Sequence, residues 1–233
     1  MKNILLASTS AMFVEDYLAY LKPSIANLFS GVDEIIFIPF ARPGGISHDD
    51  YTKKVAGAFS VWDIRVTGLH TFEDSAAAVL KAKGFFTGGG NTFLLVKTLH
   101  ELDLMNVLKE TVEKGAPYLG TSAGSNIGGL TMHTTNDMPI VLPPSLNTMG
   151  LVPFNLNPHY LDPDPDSKHN GETRETRINE FHTQHAIPVI GLREGSWIRV
   201  QGETVTTEGL FTSRIFEQGR DAYEVAPGNQ LLF

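Results

Sequence analysis

The sequence contains no cysteine. Disulfide bonds, thiolate-bound zinc and a cysteine nucleophile are therefore all excluded. Any catalytic chemistry has to come from serine, threonine, histidine or the acidic side chains.

Positive charge is also scarce. Lys and Arg together number 18 against 26 Asp and Glu, which gives a formal net charge of −8. The field of such a chain repels polyanions, so the composition disfavours binding to nucleic acid or to an anionic membrane surface. Small molecules are the expected partners.

Long apolar runs are missing as well. The apolar run in the N-terminal sequence MKNILLASTS is too short for a signal peptide or a membrane span, so we expect a cytoplasmic protein. The 233 residues, of which 42% are hydrophobic, are enough to bury one substantial core. We therefore expect a single domain over residues 1–233.

Short apolar runs alternate with helical patterns in the first half of the chain, which is typical of a parallel sheet with crossover helices. The predicted strands are 3–7, 34–39, 64–67, 84–87 and 117–121. The predicted helices are 13–28, 49–59, 74–83, 92–99 and 103–114.

The second half is less regular. Prolines interrupt a long region after residue 131, including the sequence DPDPDS at 162–167, and a helical pattern returns at 172–182. Short strands are predicted at 187–192, 196–200, 203–206, 211–216 and 223–225. The predicted fold is thus α/β, with a mostly parallel wound sheet, flanking helices and short antiparallel strands near the C-terminus.

The sequence GTSAGSN begins at Gly120 and has the spacing G-x-S-x-G around Ser122. This spacing is typical of a sharp turn from a strand into a helix, in which the serine hydroxyl is exposed as a nucleophile. The first N–H groups of the following helix, beginning with that of Ala123, can then bind a developing oxyanion. The pattern by itself also fits an ordinary turn with a serine at the helix start.

A second glycine loop, GGGNTF, follows the predicted strand 84–87. It lacks the Lys-Ser/Thr of a phosphate-binding loop and the third glycine of a dinucleotide-binding loop, so nucleotide binding is disfavoured. Because neighbouring parallel strands end at one edge of a sheet, we expect this loop beside Ser122, with Gly89 or Gly90 as a second oxyanion donor. The alternative is a tight turn that requires positive φ.

A serine nucleophile requires a base, and His159 lies in a proline-bounded turn that would position one. Two carboxylates are candidates for orienting the imidazole, Asp137 and Glu194, and their spacing does not distinguish them. His182 and His185 have helical spacing but lack the carboxylate of a metal-binding motif, so no metal site is predicted.

Six sequence blocks together resemble peptidase E, the aspartyl dipeptidase family of serine peptidases. In order along the chain they are GGGNTF, GTSAGSN, HTTNDMPI, NPHY, GETRETRI and IGLREGSW. The resemblance implies hydrolysis of small acidic dipeptides with N-terminal aspartate, a cytoplasmic location, no metal or other cofactor, and a fold related to class I glutamine amidotransferases. A monomer or a homodimer is expected.

Carried over residue by residue, the resemblance makes Ser122 the nucleophile and His159 the general base. It assigns the third catalytic residue to Asp137 or Glu194. We favour Glu194 as the partner of His159, which leaves Asp137 to shape the pocket or to bind the substrate's α-ammonium group. The sequence departs from the family pattern at Ser125, where we expect alanine, and at Arg193, where we expect proline.

An acidic protein that selects an acidic side chain needs a local cation. Arg174 is the candidate for a bidentate clamp on the substrate's β-carboxylate, with Arg177 one helical turn further on in support. Asn91 is a third candidate for substrate binding. The alternative for both arginines is pairing with Glu172 or Glu175 on a solvated helix face.

Three other functions compete with this hypothesis. A cyanophycinase-like exopeptidase would act on β-linked Asp-Arg and would need an acidic site for the arginine. An α/β-hydrolase esterase shares G-x-S-x-G, but the chain after Ser122 is short for that fold. A noncatalytic binding module would keep the glycine loops without needing the base.

Overall fold

The computed structural model describes residues 1–164, 166, 168 and 170–233. In this part of the chain the strands form a seven-stranded and a four-stranded sheet. In chain order the strands are β1 Asn3–Ala7, β2 Glu34–Ile38, β3 Arg65–Gly68, β4 Phe85–Thr87, β5 Tyr118–Thr121, β6 Asn155–Pro158, β7 Val189–Leu192, β8 Ser196–Gln201, β9 Thr204–Gly209, β10 Ser213–Phe216 and β11 Tyr223–Val225. The helices are α1 Lys22–Leu28, α2 His48–Phe59, α3 Ser75–Lys81, α4 Thr92–Glu101, α5 Leu104–Glu113, α6 Ala123–Asn126 and α7 Arg174–His182.

The larger sheet has the strand order β3-β2-β4-β5-β1-β8-β9. Its first five strands are parallel, whereas β8 and β9 pair antiparallel at one edge. The predicted α/β fold with a mostly parallel sheet and antiparallel C-terminal strands is therefore confirmed. Because β1, β4 and β5 are neighbours and parallel, the loops after them meet at one edge of the sheet.

Helices cover both faces of this sheet, as its buried strands require. Alternate residues of β1 separate the two cores: Leu5 packs with α1 and α2, whereas Ile4 and Leu6 pack with α4, α5 and α6. The glycine loop after β4 lies where these two layers meet. Each face can therefore contribute different side chains to that loop.

The smaller sheet has the order β11-β10-β7-β6. Its strand β6 pairs parallel with β7 and was not predicted from the sequence. The buried strand carries Asn155 and Asn157, whose side chains hydrogen-bond to Thr131 and Thr134 of the preceding irregular segment. Buried asparagines interrupt the apolar pattern by which a strand is recognised.

The predicted helix 13–28 is wrong in its first half. Val14 and Leu18 both have φ of 62°, which is incompatible with a continuous helix. The α-helix begins at Lys22, after one 3₁₀ turn, and has Pro23 in its first turn. Proline is well accommodated there because the first N–H groups of a helix have no internal partner.

The other predicted elements are present: strands 3–7 and 223–225 have the predicted bounds, and the remaining elements have ends shifted by one to three residues. Of the proline-rich sequence 162–167, residues 165 and 167 lie outside the described residues. Within the described part of the chain, no helix is long and apolar enough to cross a membrane.

The close packing of α6 on β4 gives a testable prediction. A Cβ atom on Gly124 would lie 2.1 Å from the carbonyl oxygen of Thr87, so Gly124→Ala should reduce the free energy of unfolding by about 2–3 kcal/mol. A Cβ atom on Gly57 in α2 would meet no other atom within 4 Å, so Gly57→Ala should stabilise by up to about 1 kcal/mol. Chemical denaturation measures both changes, and equal effects at the two positions would contradict the packing described.

Candidate active site

Ser122 lies at the end of β5, where the chain turns directly into α6. Its φ of 53° and ψ of −112° are unusual for a residue with a side chain. The Ser122 N–H donates to the carbonyl of Ala7 at 3.1 Å, which fixes the turn to the end of β1. The turn from strand to helix predicted from G-x-S-x-G is present.

The residues around Ser122 leave its backbone little freedom. A Cβ atom on Gly120 would lie 2.4 Å from the carbonyl oxygen of Gly124, so glycine is required for this close approach. The buried hydroxyl of Ser125 lies 2.6 Å from the carbonyl oxygen of Ala7 and 2.9 Å from that of Gly120. Serine at position 125 thus adds a bond across the turn that alanine would lack.

His159 follows β6 and also has a positive φ, 56°. Its N–H donates to Ser8 Oγ at 2.8 Å, and Ser8 Oγ donates to the carbonyl of Leu192 at 2.7 Å. Ser8 is fully buried just after β1, so one hydroxyl connects the large sheet to the ends of β6 and β7 in the small one. Sequence reasoning missed Ser8, because nothing in the sequence ASTS indicates a long-range contact.

The imidazole of His159 lies between a hydroxyl and a carboxylate. Its Nε2 is 3.0 Å from Ser122 Oγ, and its Nδ1 is 2.6 Å from Glu194 Oε1. A carboxylate at Nδ1 holds the proton there and leaves Nε2 free to accept from the serine. The side chains of His159 and Glu194 remain 39% and 47% exposed, so this row opens to solvent.

Glu194 lies in the turn between β7 and β8, and the preceding Arg193 anchors that turn. Arg193 forms ion pairs with Asp162 at 2.6 Å and with Glu224 at 2.9 Å. Hydrogen bonds from Arg193 first, and also from Thr212 and Arg214, lower the pKa of Glu224 to about 2. The Arg193 guanidinium also donates to the carbonyl of Thr212 at 2.6 Å. Arginine in place of the expected proline therefore links the turn to β10 and β11.

Asp137 does not contact the imidazole. Its Oδ2 accepts from the Thr92 N–H at 2.7 Å, from the Thr92 hydroxyl at 2.6 Å and from the Thr135 hydroxyl at 3.1 Å. The carboxylate thus lies at the first turn of α4, where the helix dipole favours negative charge. Of the two acids left open by the sequence, Glu194 is hydrogen-bonded to His159 and Asp137 is held at α4.

The two predicted oxyanion donors of the glycine loop differ in position. A Cβ atom on Gly89 would lie 3.1 Å from the Cβ of Ser122, so Gly89 lies directly against the serine. A Cβ atom on Gly90, at φ of 152°, would lie 2.2 Å from the carbonyl oxygen of Ala41. Gly90 therefore faces the segment after β2. Ala123 begins α6, so its N–H has no acceptor within the helix.

The three candidates for substrate binding also differ. The Asn91 side chain caps α4 by accepting from the Leu94 N–H and donates to the Met138 carbonyl, so both ends of its amide are in use. This is the capping preference of asparagine, and the contact of Asn91 with substrate stays a prediction. Arg177 lies 3.5 Å from Glu172 on an exposed face, which is the alternative pairing considered for it.

Arg174 is the first residue of α7 and is not ion-paired with any carboxylate in the described part of the chain. Burial lowers the pKa of Arg174, the charge of Arg177 lowers it further, and the charge of Asp137 opposes both. The charge of Asp137 thus acts on Arg174, although no ion pair joins the two side chains within the described residues. Glu175, the other proposed partner, pairs with Arg214 instead.

The arrangement of Ser122, His159 and Glu194 is suited to acyl transfer. A serine hydroxyl bonded to an imidazole can be deprotonated during attack, and amides beside it can stabilise the oxyanion. Across the residues described, no three His, Asp or Glu side chains are grouped so as to hold a metal ion.

Comparison with known proteins identifies the family. Residues 4–208 match the sequence model of peptidase family S51. The chain belongs to this family. S51 peptidases are serine peptidases, so the predictions of an enzyme, a hydrolase and a serine peptidase are confirmed.

Two relatives of the S51 chain are similar over nearly their whole length. A Drosophila melanogaster protein named "Probable alpha-aspartyl dipeptidase" is 43% identical over 235 residues, covering 100% of this chain and 97% of the relative. Peptidase E of Streptomyces coelicolor is 43% identical over 229 residues, covering 98% and 93%. The resemblance to peptidase E is confirmed.

A solved structure supports the fold. The crystal structure of a peptidase from an acI-B1 Actinobacterium superposes with a TM-score of 0.74, covering 100% of this chain and 97% of that one. Sequence identity between the two is 16%, so this likeness concerns the architecture alone. Small peptides are the substrate class that membership of S51 implies.

Proposed function

We propose that this S51 peptidase is a dipeptidase that hydrolyses dipeptides with N-terminal aspartate through an acyl-enzyme at Ser122. The observation that carries the proposal is the row from Ser122 Oγ through His159 to Glu194, with contacts of 3.0 and 2.6 Å. The names of its relatives, peptidase E and alpha-aspartyl dipeptidase, support the choice of substrate.

In the proposed reaction, Ser122 Oγ attacks the scissile carbonyl carbon while its proton passes to His159 Nε2. Glu194 stabilises the imidazolium that forms. The amides of Ala123 and Gly89 bind the oxyanion. The C–N bond then breaks as His159 returns the proton to the leaving amine, and a water deprotonated by His159 releases aspartate and restores Ser122.

Arg174 and Asp137 are the proposed recognition groups for the aspartyl residue. Arg174 is free of carboxylate partners among the described residues, and its guanidinium suits the substrate's β-carboxylate. The Oδ2 atom of Asp137 accepts hydrogen bonds from Thr92 and Thr135, so Oδ1 is the oxygen proposed to accept from the α-ammonium group. A cation and a carboxylate that act on each other electrostatically match the two charges of an N-terminal aspartate.

The first prediction tests the reaction. The wild-type protein should cleave Asp-Leu in preference to Asn-Leu, Glu-Leu and Ala-Leu, and Ser122→Ala should lower kcat by about 10⁴-fold or more. Release of leucine measures the rates, and circular dichroism checks that the variant is folded. A serine-directed phosphonate should label the wild type and not Ser122→Ala. Turnover by the folded variant near the wild-type rate would eliminate the mechanism.

A second prediction separates the two acids. Glu194→Gln removes the charge that stabilises the His159 imidazolium and should lower kcat for Asp-Leu by about 10²–10⁴-fold. Asp137→Asn should act mainly on KM, with kcat within about tenfold of the wild type, because Asp137 does not contact the imidazole. Steady-state kinetics distinguish the two patterns, and a larger loss of kcat in Asp137→Asn would reverse the assignment.

The third prediction concerns specificity. Arg174→Met should lower kcat/KM for Asp-Leu by about 10–100-fold, as expected for a lost charge-assisted hydrogen bond. The kcat/KM for Ala-Leu should change little, because Ala-Leu has no β-carboxylate. Arg65→Met, which removes an exposed charge from β3 at the far edge of the sheet, is the control and should affect neither substrate. If Arg174→Met leaves the ratio of kcat/KM for Asp-Leu to kcat/KM for Ala-Leu unchanged, the proposed clamp is rejected.

A further inference from the structure

The segment after β2 packs directly against the glycine loop. The carbonyl oxygen of Ala41 accepts from the Asn91 N–H at 2.7 Å, and the missing side chain of Gly90 is what allows Ala41 to approach so closely. Ala41 is fully buried, whereas the next residue, Arg42, is exposed. The backbone of Arg42 is therefore held in place beside the loop while its side chain remains accessible.

Tyr51 connects the Arg42 side chain to the loop. The guanidinium carbon of Arg42 lies 5.5 Å from the centre of the Tyr51 ring, within the range of a cation–π contact. The Tyr51 hydroxyl donates to the carbonyl of Gly89 at 3.4 Å, and a Cβ atom on Gly88 would lie 2.3 Å from that hydroxyl. The Tyr51 ring thus lies between the Arg42 guanidinium and Gly89, and Gly89 in turn lies against Ser122.

The cationic charge in this region is not neutralised by carboxylates of the described chain. Neither Arg42 nor Lys54, whose ammonium lies 4.5 Å from the centre of the Tyr17 ring, is ion-paired within the described residues. Burial raises the pKa of Tyr51, and the charge of Arg42 is among the groups that oppose this rise. Although the chain carries a net charge of −8, the two cations Arg42 and Lys54 make this region locally attractive to an anion.

The aromatic partner of Arg42 and the acid whose charge acts on Arg174 lie on opposite faces of the large sheet. Tyr51, which supports Arg42, belongs to the core between the sheet and α1 and α2. Asp137, whose charge acts on Arg174, accepts from the first N–H of α4 on the other face of the sheet. A dipeptide with its scissile carbonyl over Gly89 can then extend across the glycine loop, with its acyl residue toward Arg174 and its leaving residue toward Arg42.

We infer that Arg42 forms a subsite for the free α-carboxylate of the leaving residue. The inference rests on the proposed function, because it assumes that the peptide bond lies over Gly89. In a dipeptide this carboxylate carbon is three bonds from the scissile carbon and therefore within about 4 Å of it. In a longer peptide a neutral amide takes the place of the carboxylate. Arg42 then selects substrates that end after the second residue.

The experiment compares Asp-Leu with Asp-Leu-amide, which differ only in that charge. Arg42→Met should raise KM for Asp-Leu by about tenfold, the lower end for a charged hydrogen bond because the side chain is exposed, with kcat within about threefold. KM for the amide should stay within about twofold. High salt should reduce the wild-type preference for the free acid, because the contact is screened.

Arg220→Met serves as the matched control. It removes an exposed arginine that pairs with Glu217, and it should leave both KM values unchanged. An equal rise in both KM values for Arg42→Met, or no rise in either, would overturn the subsite.

A binding measurement separates this inference from the proposed function. Calorimetry with Ser122→Ala and with Ser122→Ala/Arg42→Met reports affinity for the two ligands without turnover. Loss of the preference for the free acid in the double variant supports the subsite even if the wild type fails to cleave Asp-Leu, which would refute the proposed function alone. Equal affinity of Ser122→Ala for acid and amide, or no binding of either, refutes the subsite.

Discussion

The geometry of the site depends on one buried hydroxyl, that of Ser8. It accepts from the His159 N–H and donates to the Leu192 carbonyl, and it follows the strand whose last carbonyl, at Ala7, accepts from the Ser122 N–H. The serine belongs to the large sheet and the histidine to the small one. Their 3.0 Å contact is therefore a contact between two sheets, which the Ser8 hydroxyl bridges directly.

The two side chains proposed to react, those of Ser122 and His159, both extend from strained backbone. Ser122 and His159 have φ of 53° and 56°, a region that costs residues with side chains about 1–2 kcal/mol each. The surrounding bonds offset that cost: the Ser125 hydroxyl spans the serine turn, and Ser8 holds the histidine. Rigid support of this kind reduces the reorganisation needed when charge develops during a reaction.

Local sequence patterns predict the fold and part of the site. They do not predict contacts between residues that are distant along the chain. The G-x-S-x-G spacing predicts the turn at Ser122, because the close backbone approaches that require Gly120 and Gly124 lie within the same five residues as the serine. The strand β6 is hard to recognise because its buried side chains include amides. The helix predicted over 13–28 is too long because Pro23 marks a helix start, in the first turn of α1. The choice between Asp137 and Glu194 depends on which loop reaches the histidine, and spacing along the chain does not contain that information.

The exposure of His159 and Glu194 has a kinetic consequence. In the proposed reaction, water from bulk solvent reaches the space beside the imidazole directly once the leaving amine has departed, because both side chains are partly exposed. An enzyme built this way gives up the tight exclusion of solvent that a closed lid provides.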